Sequence, residues 1–218
     1  MADPKLAFCW NSPPNNGIMG VITKRGGPLE KKKGTGALKN GKPYTLEEWR
    51  AWPEDERWEL IDGYAYDMSP SPTVEHQDRA VNLSGNLFQF LEDSPCRVFT
   101  APLDVYLNEN ELSDRGPTVV QPDVMVVCDP EKVHKDGIYG APDFVAEVLS
   151  DSTANRDFSV KKELYEACAV REYWLIQPET CTVFQYVLEG TLYAPIREYR
   201  KGVPVVSSVL EGFSWVCS

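Results

Sequence analysis

Short apolar runs, most of them rich in valine, recur along this chain and indicate β-strands. They predict a hairpin at residues 58–68, strands at 97–107, 119–128, 144–149 and 170–176, and a closing meander formed by 182–188, 192–199 and 203–209. Asp62-Gly63 predicts the tight turn of the hairpin, and Gly190 and Lys201-Gly202 mark turns of the meander. The pattern therefore predicts a β-rich protein.

Helical spacing of apolar residues occurs in segments between these strands. Thr45 and Glu48 form a T-x-x-E capping box, which predicts a short helix through Trp52. Residues 74–93 carry an apolar stripe at helical spacing, and residues 156–168 predict a third helix. Because strands precede a single late helix, a regular alternation of strands and helices is disfavoured. The order predicts an α+β fold in which a mixed central sheet is flanked by helices.

The start of the chain differs in composition from the rest. Residues 1–43 are rich in Gly, Pro, Asn and Lys and have no sustained apolar period, which predicts an irregular arm before one domain of residues 44–218. Residues 1–42 carry a net charge of +6 and residues 43–218 carry −17. The basic arm could contact a polyanion or act only as a solubilising tail, and we favour the tail.

Composition argues against several classes of protein. The chain has no apolar run long enough to span a membrane and no signal-peptide pattern, so we expect a cytoplasmic protein without membrane segments. Six cysteines without a C-x-x-C pair, and only two histidines, argue against a structural zinc site. We expect reduced thiols, with Cys128 and Cys168 buried as small apolar side chains.

Two acidic residues lie inside apolar strand patterns. Asp123 follows Pro122 and precedes a valine-rich run, and Glu147 lies between Ala146 and Val148. A carboxylate in such surroundings is costly to desolvate unless it has a partner. A strand or turn cap would explain Asp123 alone, and a structural ion pair would explain Glu147 alone. Two such acids in successive strands favour a shared divalent cation.

The helix that follows contributes a cationic side chain. Asp157, Lys161 and Tyr165 are four residues apart and share one helix face, whereas Lys162 points about 100° away. An ordinary Asp–Lys surface pair would be the plainer interpretation of this spacing alone. Combined with the two strand carboxylates, the lysine fits a phosphodiesterase site. The carboxylates would hold Mg²⁺ or Mn²⁺, and the lysine would orient water and stabilise transition-state charge.

Several sequence blocks together resemble one family. They are WELIDG, YDMSPSPTVEHQ, APLDVYL, VVQPDVMVV, PDFVAEVLS, the spacing D-x-x-x-K-x-x-x-Y and REYWLIQP, in this order over residues 44–188. These blocks closely resemble the Uma2 family, whose members are classed as endonucleases of the PD-(D/E)XK, restriction-endonuclease-like superfamily. The resemblance implies a core made of a mixed four-stranded sheet with flanking helices.

The resemblance also assigns roles to individual residues. Asp123 matches the PD aspartate and Glu147 matches the (D/E) position, which implies that both hold Mg²⁺. The superfamily's lysine normally stands two residues after that acid, where this chain has Leu149. In this family the lysine is displaced to the following helix, where Lys161 is the match. A further departure is Ala169, where the family usually has glycine, and we expect it to cost only a little loop freedom.

Weaker candidates surround this set. His76 opens a helix after SPSP, Glu59 lies in WELIDG, and Asp104 sits in a strand before Val105. An accessory role at the site is possible for each, as it is for Asp157 and Tyr165. The plainer interpretations are a satisfied surface histidine, a glutamate that pairs with an arginine, and an edge-strand acid.

The sequence therefore predicts a Mg²⁺-dependent endonuclease that hydrolyses DNA. We expect a homodimer, because cutting both strands favours two sites. The alternative is a catalytically idle nuclease fold that serves as an oligomeric binding or scaffold module. The acidity of residues 43–218 favours this alternative and argues against tight, sequence-independent DNA binding. A serine or cysteine hydrolase is disfavoured, because the chain has no G-x-S-x-G motif.

Overall fold

The computed structural model describes residues 38–53, 56–68, 71–108 and 115–218. Most of the predicted arm, residues 1–37, lies outside the described residues, so its separation from the domain stays a prediction. Residues 38–43 were expected to be irregular and instead form a strand, Leu38–Pro43, that pairs with the hairpin. Ordered structure therefore extends further toward the N-terminus than the composition indicates.

Strands make up most of the regular structure in the described residues. In chain order they are β1 Leu38–Pro43, β2 Trp58–Ile61, β3 Tyr64–Asp67, β4 Arg97–Thr100, β5 Val105–Asn108, β6 Thr118–Val120, β7 Val124–Val127, β8 Ile138–Tyr139, β9 Phe144–Val148, β10 Glu172–Gln177, β11 Thr182–Glu189, β12 Leu192–Tyr193, β13 Arg197–Tyr199, β14 Val205–Val206 and β15 Ser214–Trp215. Of the predicted strand at 203–209, only Val205–Val206 is extended, and it pairs with β15.

The three predicted helices are present. They are α1 Leu46–Arg50, α2 Val74–Phe90 and α3, which spans residues 154–167. The Thr45–Glu48 capping box forms at the start of α1 as predicted. The middle of α3, Asp157–Lys161, is a π-helical turn between the α-helical segments Ala154–Arg156 and Lys162–Ala167. Such turns inside α-helices are frequent at functional sites.

Two mixed sheets form the body of the described protein. The hairpin sheet has the strand order β1-β3-β2-β6-β5-β8, and the core sheet has the order β12-β11-β10-β9-β7-β4, with β13 paired to β11. The strands β4, β7, β9 and β10 are the predicted mixed four-stranded core, because β9 and β10 are parallel and their neighbours are antiparallel. The structure thus confirms the predicted α+β fold.

Two of the predicted strands each divide between the sheets. The stretch 97–107 forms β4 in the core sheet and β5 in the hairpin sheet, and 119–128 forms β6 and β7. The chain crosses over near Pro102 and Pro122, residues that cannot donate a ladder hydrogen bond. Each apolar run was predicted as one strand, but in the structure it forms two strands that belong to different sheets.

The alternation of side chains across the core sheet places the predicted acids. Even-numbered residues of β7 and β9, such as Val124 and Ala146, pack against α2. Met125 and Val145 point the other way, toward α3 and the hairpin sheet. Because successive side chains alternate between faces, Asp123 shares the face of Met125 and Glu147 shares the face of Val145. Both acids therefore point toward α3 and the hairpin sheet.

The cysteines only partly match expectation. In the described part of the chain, Cys168, Cys181 and Cys217 are free and buried, and Cys96 and Cys128 form a disulfide bond. The expectation of reduced thiols is therefore wrong for Cys96 and Cys128, whose sulfurs meet at the ends of the paired strands β4 and β7. Cys128, expected to be buried, is half-buried. No helix in the described ranges is both long and apolar enough to cross a membrane.

Ala169 ends α3 in a conformation that favours glycine. Its φ is 59°, and the Val170 and Ala169 N–H groups donate to the Tyr165 and Glu166 carbonyls at 2.9 and 3.1 Å, which is a Schellman motif. Alanine at this position therefore costs more than the small loss of loop freedom expected from the sequence, because an L-residue in the left-handed region costs about 1–2 kcal/mol.

We therefore expect Ala169→Gly to raise the free energy of unfolding by about 0.5–1 kcal/mol in a denaturant titration, after the entropy of the unfolded glycine is subtracted. Ala167→Gly, inside the same helix, is the matched control and should lower stability by about 1 kcal/mol. A loss of stability in both variants would contradict the assigned strain at Ala169.

Candidate active site

A cavity of about 400 Å³ opens where the core sheet, the hairpin sheet and the first turns of α2 and α3 meet. Most of the residues predicted for the site line this cavity: Glu59, His76, Asp123, Glu147, Asp157 and Lys161. Tyr165 lies behind them and contacts Glu147, and Asp104 is not among the described residues that line the cavity. Side chains from four separate elements therefore converge on one place.

Asp123 and Glu147 lie side by side on neighbouring strands. The strands β7 and β9 pair with Val124 opposite Ala146. The Val148 N–H donates to Asp123 Oδ2 at 2.8 Å, and the Asp123 N–H lies 3.4 Å from Glu147 Oε2. A backbone N–H group of the other strand thus orients each carboxylate, and no flexible side chain is needed to hold the two acids side by side.

Lys161 is shared between the two sheets. Its Nζ lies 2.8 Å from Glu147 Oε1 of the core sheet and 2.7 Å from Glu59 Oε1 of the hairpin sheet, with Asp157 Oδ1 at 4.0 Å. The Tyr165 hydroxyl donates to the same Glu147 Oε1 at 2.8 Å. Lys161 is only 3% exposed, so it reaches Glu147 and Glu59 from α3 and remains shielded from bulk water.

Arg156 is a site residue that the sequence analysis missed. It is buried and lines the cavity, its Nη2 lies 3.5 Å from Glu59 Oε2, and its Nη1 donates to the Asp67 carbonyl at 3.2 Å. The sequence suggested only that Glu59 could pair with some arginine. Local spacing gave no signal for this one, because Glu59 and Arg156 are remote in sequence.

His76 and Asp104 have different surroundings. His76 Nε2 lies 3.2 Å from Asp123 Oδ2. Burial disfavours the charged imidazole, but the contact with Asp123 outweighs burial and raises the pKa of His76. Asp104 Oδ1 accepts from Gln121 Nε2 at 2.8 Å, and the Gln121 N–H donates to Glu59 Oε1 at 3.2 Å. Within the described part of the chain, Asp104 is thus connected to the site through Gln121.

Four carboxyl groups and three basic side chains meet at the site. Glu147, Glu59 and Asp157 face Lys161, Glu59 also faces Arg156, and Asp123 faces His76. Burial raises the pKa of Glu147 to about 8 even though Lys161 opposes the shift. The same desolvation disfavours the charged Lys161, but the carboxylates of Glu147 and Glu59 outweigh it and raise the lysine pKa. A cation bound beside Glu147 would favour the ionised form of this glutamate and so lower its pKa.

The donor set fits a hard divalent cation held in an open site. No group of three or more His, Cys, Asp or Glu side chains in the described ranges is arranged to hold a metal ion by itself. Mg²⁺ does not need such a cage, because it keeps several waters and is commonly held by one or two carboxylates together with substrate phosphate. Asp123 and Glu147, adjacent and facing the cavity, provide that kind of set.

Comparisons with known proteins agree with this fold. The chain is similar to a crystal structure described as a putative nuclease belonging to DUF820 from Anabaena variabilis ATCC 29413. The TM-score is 0.64 and the identity 19%, over 80% of this chain and 96% of the other. At this identity the likeness shows the fold alone. A search of curated proteins finds no match. The profile of the Uma2 family, described as "Putative restriction endonuclease", matches residues 46–217. Because this match spans well over half of the chain, the protein belongs to the Uma2 family.

Proposed function

We propose that this protein is a metal-dependent endonuclease that hydrolyses phosphodiester bonds in DNA. The observation that carries the proposal is the convergence of Asp123, Glu147 and Lys161 on one cavity from β7, β9 and α3. An acid pair beside a buried lysine is the set that phosphodiester hydrolysis needs. The family description and the nuclease fold of the related structure support the same reaction class.

Asp123 and Glu147 would hold Mg²⁺ or Mn²⁺. Such a cation, when bound, polarises the scissile phosphate and acidifies a water. Lys161 and Tyr165 both contact Glu147 Oε1, and Oε2 is the oxygen on the Asp123 side. These two contacts fix the orientation of the glutamate and direct Oε2 toward its acidic neighbour.

Lys161 would stabilise the negative charge that develops on the phosphate and would orient the attacking water. Its ammonium is largely desolvated, and electrostatic interactions are stronger in such surroundings than in water. His76, which contacts Asp123, would keep that carboxylate in place at the rim of the cavity.

Titration with Mn²⁺ tests the metal site independently of cleavage. We expect isothermal titration calorimetry of the wild type to show binding heat that Asp123→Ala abolishes, because one of the two adjacent ligands is lost. Asp93→Ala, at the exposed end of α2, is the control and should bind as the wild type does. Equal heats for the wild type and Asp123→Ala would place the cation elsewhere.

DNA must approach a protein whose folded part is strongly acidic, and the basic arm could offset this. Strand β1, where the described residues begin, places Leu38 opposite Tyr66, and Met68, which follows β3, lines the cavity. As the alternative to the solubilising tail that we favour, we propose a test of whether Lys31, Lys32 and Lys33 contact DNA phosphates.

The salt dependence of DNA binding tests this role. If the three lysines make these contacts, replacing Lys31, Lys32 and Lys33 together by alanine should reduce the slope of log K against log salt by about 2.7, or roughly 0.9 for each lost phosphate contact. Lys201→Ala, in an exposed turn before β14, is the control and should leave the slope unchanged. An unchanged slope in the triple variant would support the tail interpretation.

Two observations favour the idle scaffold as a second candidate. The folded part is acidic, and Lys161 is already paired with two carboxylates. In that case the ion pairs would serve only to join the two sheets. We further propose that the active form is a homodimer, because cutting both strands requires two sites; light scattering of the purified protein measures this.

A further inference from the structure

The hairpin sheet contributes a buried carboxylate to the core. Glu59, on β2, is 1% exposed. Its Oε1 contacts Lys161 Nζ at 2.7 Å and accepts from the Gln121 N–H at 3.2 Å, and its Oε2 faces Arg156 Nη2 at 3.5 Å. Burial favours the neutral acid, but Lys161 and Arg156 outweigh burial and lower the pKa of Glu59. Glu59 is therefore an ionised group held between two cations.

This arrangement makes Glu59 a poor metal ligand. Each of its oxygens already faces a cation, and a divalent ion at Glu59 would have to displace Lys161 or Arg156. Among the described residues, Asp123 faces His76 and Glu147 faces Lys161, and neither acid lies between two cations. Although the sequence suggested that Glu59 could approach the metal, the geometry favours a contact with the lysine.

Lys161 has a reason to need a second anchor. Its flexible four-carbon stem starts from α3, whereas Leu149, two residues after Glu147 and just beyond β9, is apolar. Leu149 is buried in the apolar core on the same side of the sheet. With Glu147 alone as partner, the ammonium could also turn toward Asp157, 4.0 Å away. Glu59 fixes it from the opposite sheet.

Arg156 completes the arrangement. It is one turn before the lysine on α3 and joins Glu59 to the carbonyl of Asp67 at the end of β3. The chain of contacts runs from Arg156 through Glu59 to Lys161 and ends at Glu147. The hairpin and the nuclease core are thus connected by charged groups as well as by apolar packing.

We propose that Glu59, supported by Arg156, is a positioning residue that holds the Lys161 ammonium against Glu147, so that the N-terminal hairpin is part of the active site. The inference rests on the proposed nuclease function. It also explains how a lysine on a helix is held beside Glu147: a carboxylate from the hairpin sheet provides a second anchor.

A double-mutant cycle on the chemical step tests the inference. The proteins are the wild type, Glu59→Gln, Lys161→Met and the double variant, measured by single-turnover DNA cleavage at saturating Mg²⁺. If Glu59 acts through Lys161, Glu59→Gln slows the wild type by up to about 100-fold but produces no further slowing in the Lys161→Met background. Mn²⁺ binding heat and KM should stay close to those of the wild type in Glu59→Gln.

Each other outcome overturns a distinct claim. Equal slowing by Glu59→Gln in both backgrounds would show that Glu59 acts independently of the lysine, and loss of Mn²⁺ binding would make it a metal ligand. If the wild type cleaves no DNA, the proposed function fails and the positioning role fails with it. If Glu59→Gln does not fold, Arg156→Lys, which keeps the positive charge, takes the place of Glu59→Gln in the cycle. It should slow the wild type and produce no further slowing in the Lys161→Met background.

Discussion

Lys161→Ala is expected to slow the chemical step of DNA cleavage by about 10²- to 10³-fold, the usual effect of removing one preorganised group that stabilises transition-state charge. Metal binding should persist, because an ammonium cannot ligate a cation and both strand carboxylates remain. Single-turnover cleavage and Mn²⁺ titration of the same preparation separate the two effects. Lys161→Arg keeps the positive charge in a different shape and should also be slow, which covers the case in which the alanine variant is unstable.

Lys162→Ala is the matched control. Lys162 is adjacent in sequence but pairs with Glu166, one turn later on α3, at 2.9 Å. It is not among the described residues that line the cavity. Its loss should change the cleavage rate little. Equal slowing by both alanine variants would indicate a general electrostatic effect and would contradict a specific role for Lys161.

Glu172→Ala is expected to lower the free energy of unfolding by about 4 kcal/mol or more, because it leaves several buried donors unpaired. Glu172 on β10 is fully buried. Its carboxylate accepts hydrogen bonds at 2.6–3.0 Å from Trp174 Nε1, Gln185 Nε2, the Ser207 hydroxyl, and the Ser208 and Val209 N–H groups. The C-terminal segment is thereby tied to the core sheet.

Chemical denaturation followed by tryptophan fluorescence measures this loss. Glu189→Ala, at the exposed end of the neighbouring strand β11, is the control and should stay within about 0.5 kcal/mol of the wild type. A Glu172→Ala variant as stable as Glu189→Ala would show that the network contributes little to folding.

Local patterns in the sequence accounted for the elements and for the strand acids. Asp123 and Glu147 stood out because charged residues are rarely placed inside valine-rich strands without a partner. The alternation of side chains then puts both on one face of the sheet. Lys161 stood out through its spacing from Asp157 and Tyr165. These patterns involve residues that are close in sequence, so the helix and strand geometry alone places them.

Contacts between remote segments were not predictable in the same way. Nothing near Glu59 identifies Arg156 as its partner, because the pairing depends on how the hairpin sheet packs against α3. The divided strands at Pro102 and Pro122 were hidden because apolar residues continue on both sides of each crossover. Strand β1 was missed because its residues are mostly polar and it is defined by pairing with β3.

Cleavage of plasmid DNA by the purified wild type, with Asp123→Ala beside it, tests the central claim most directly. We predict cleavage in Mg²⁺ or Mn²⁺ that chelator stops and that Asp123→Ala does not support, with activity falling as salt rises. A folded wild type that cleaves no DNA with either metal, or one that cleaves equally well after Asp123 is replaced, would contradict the metal-dependent nuclease.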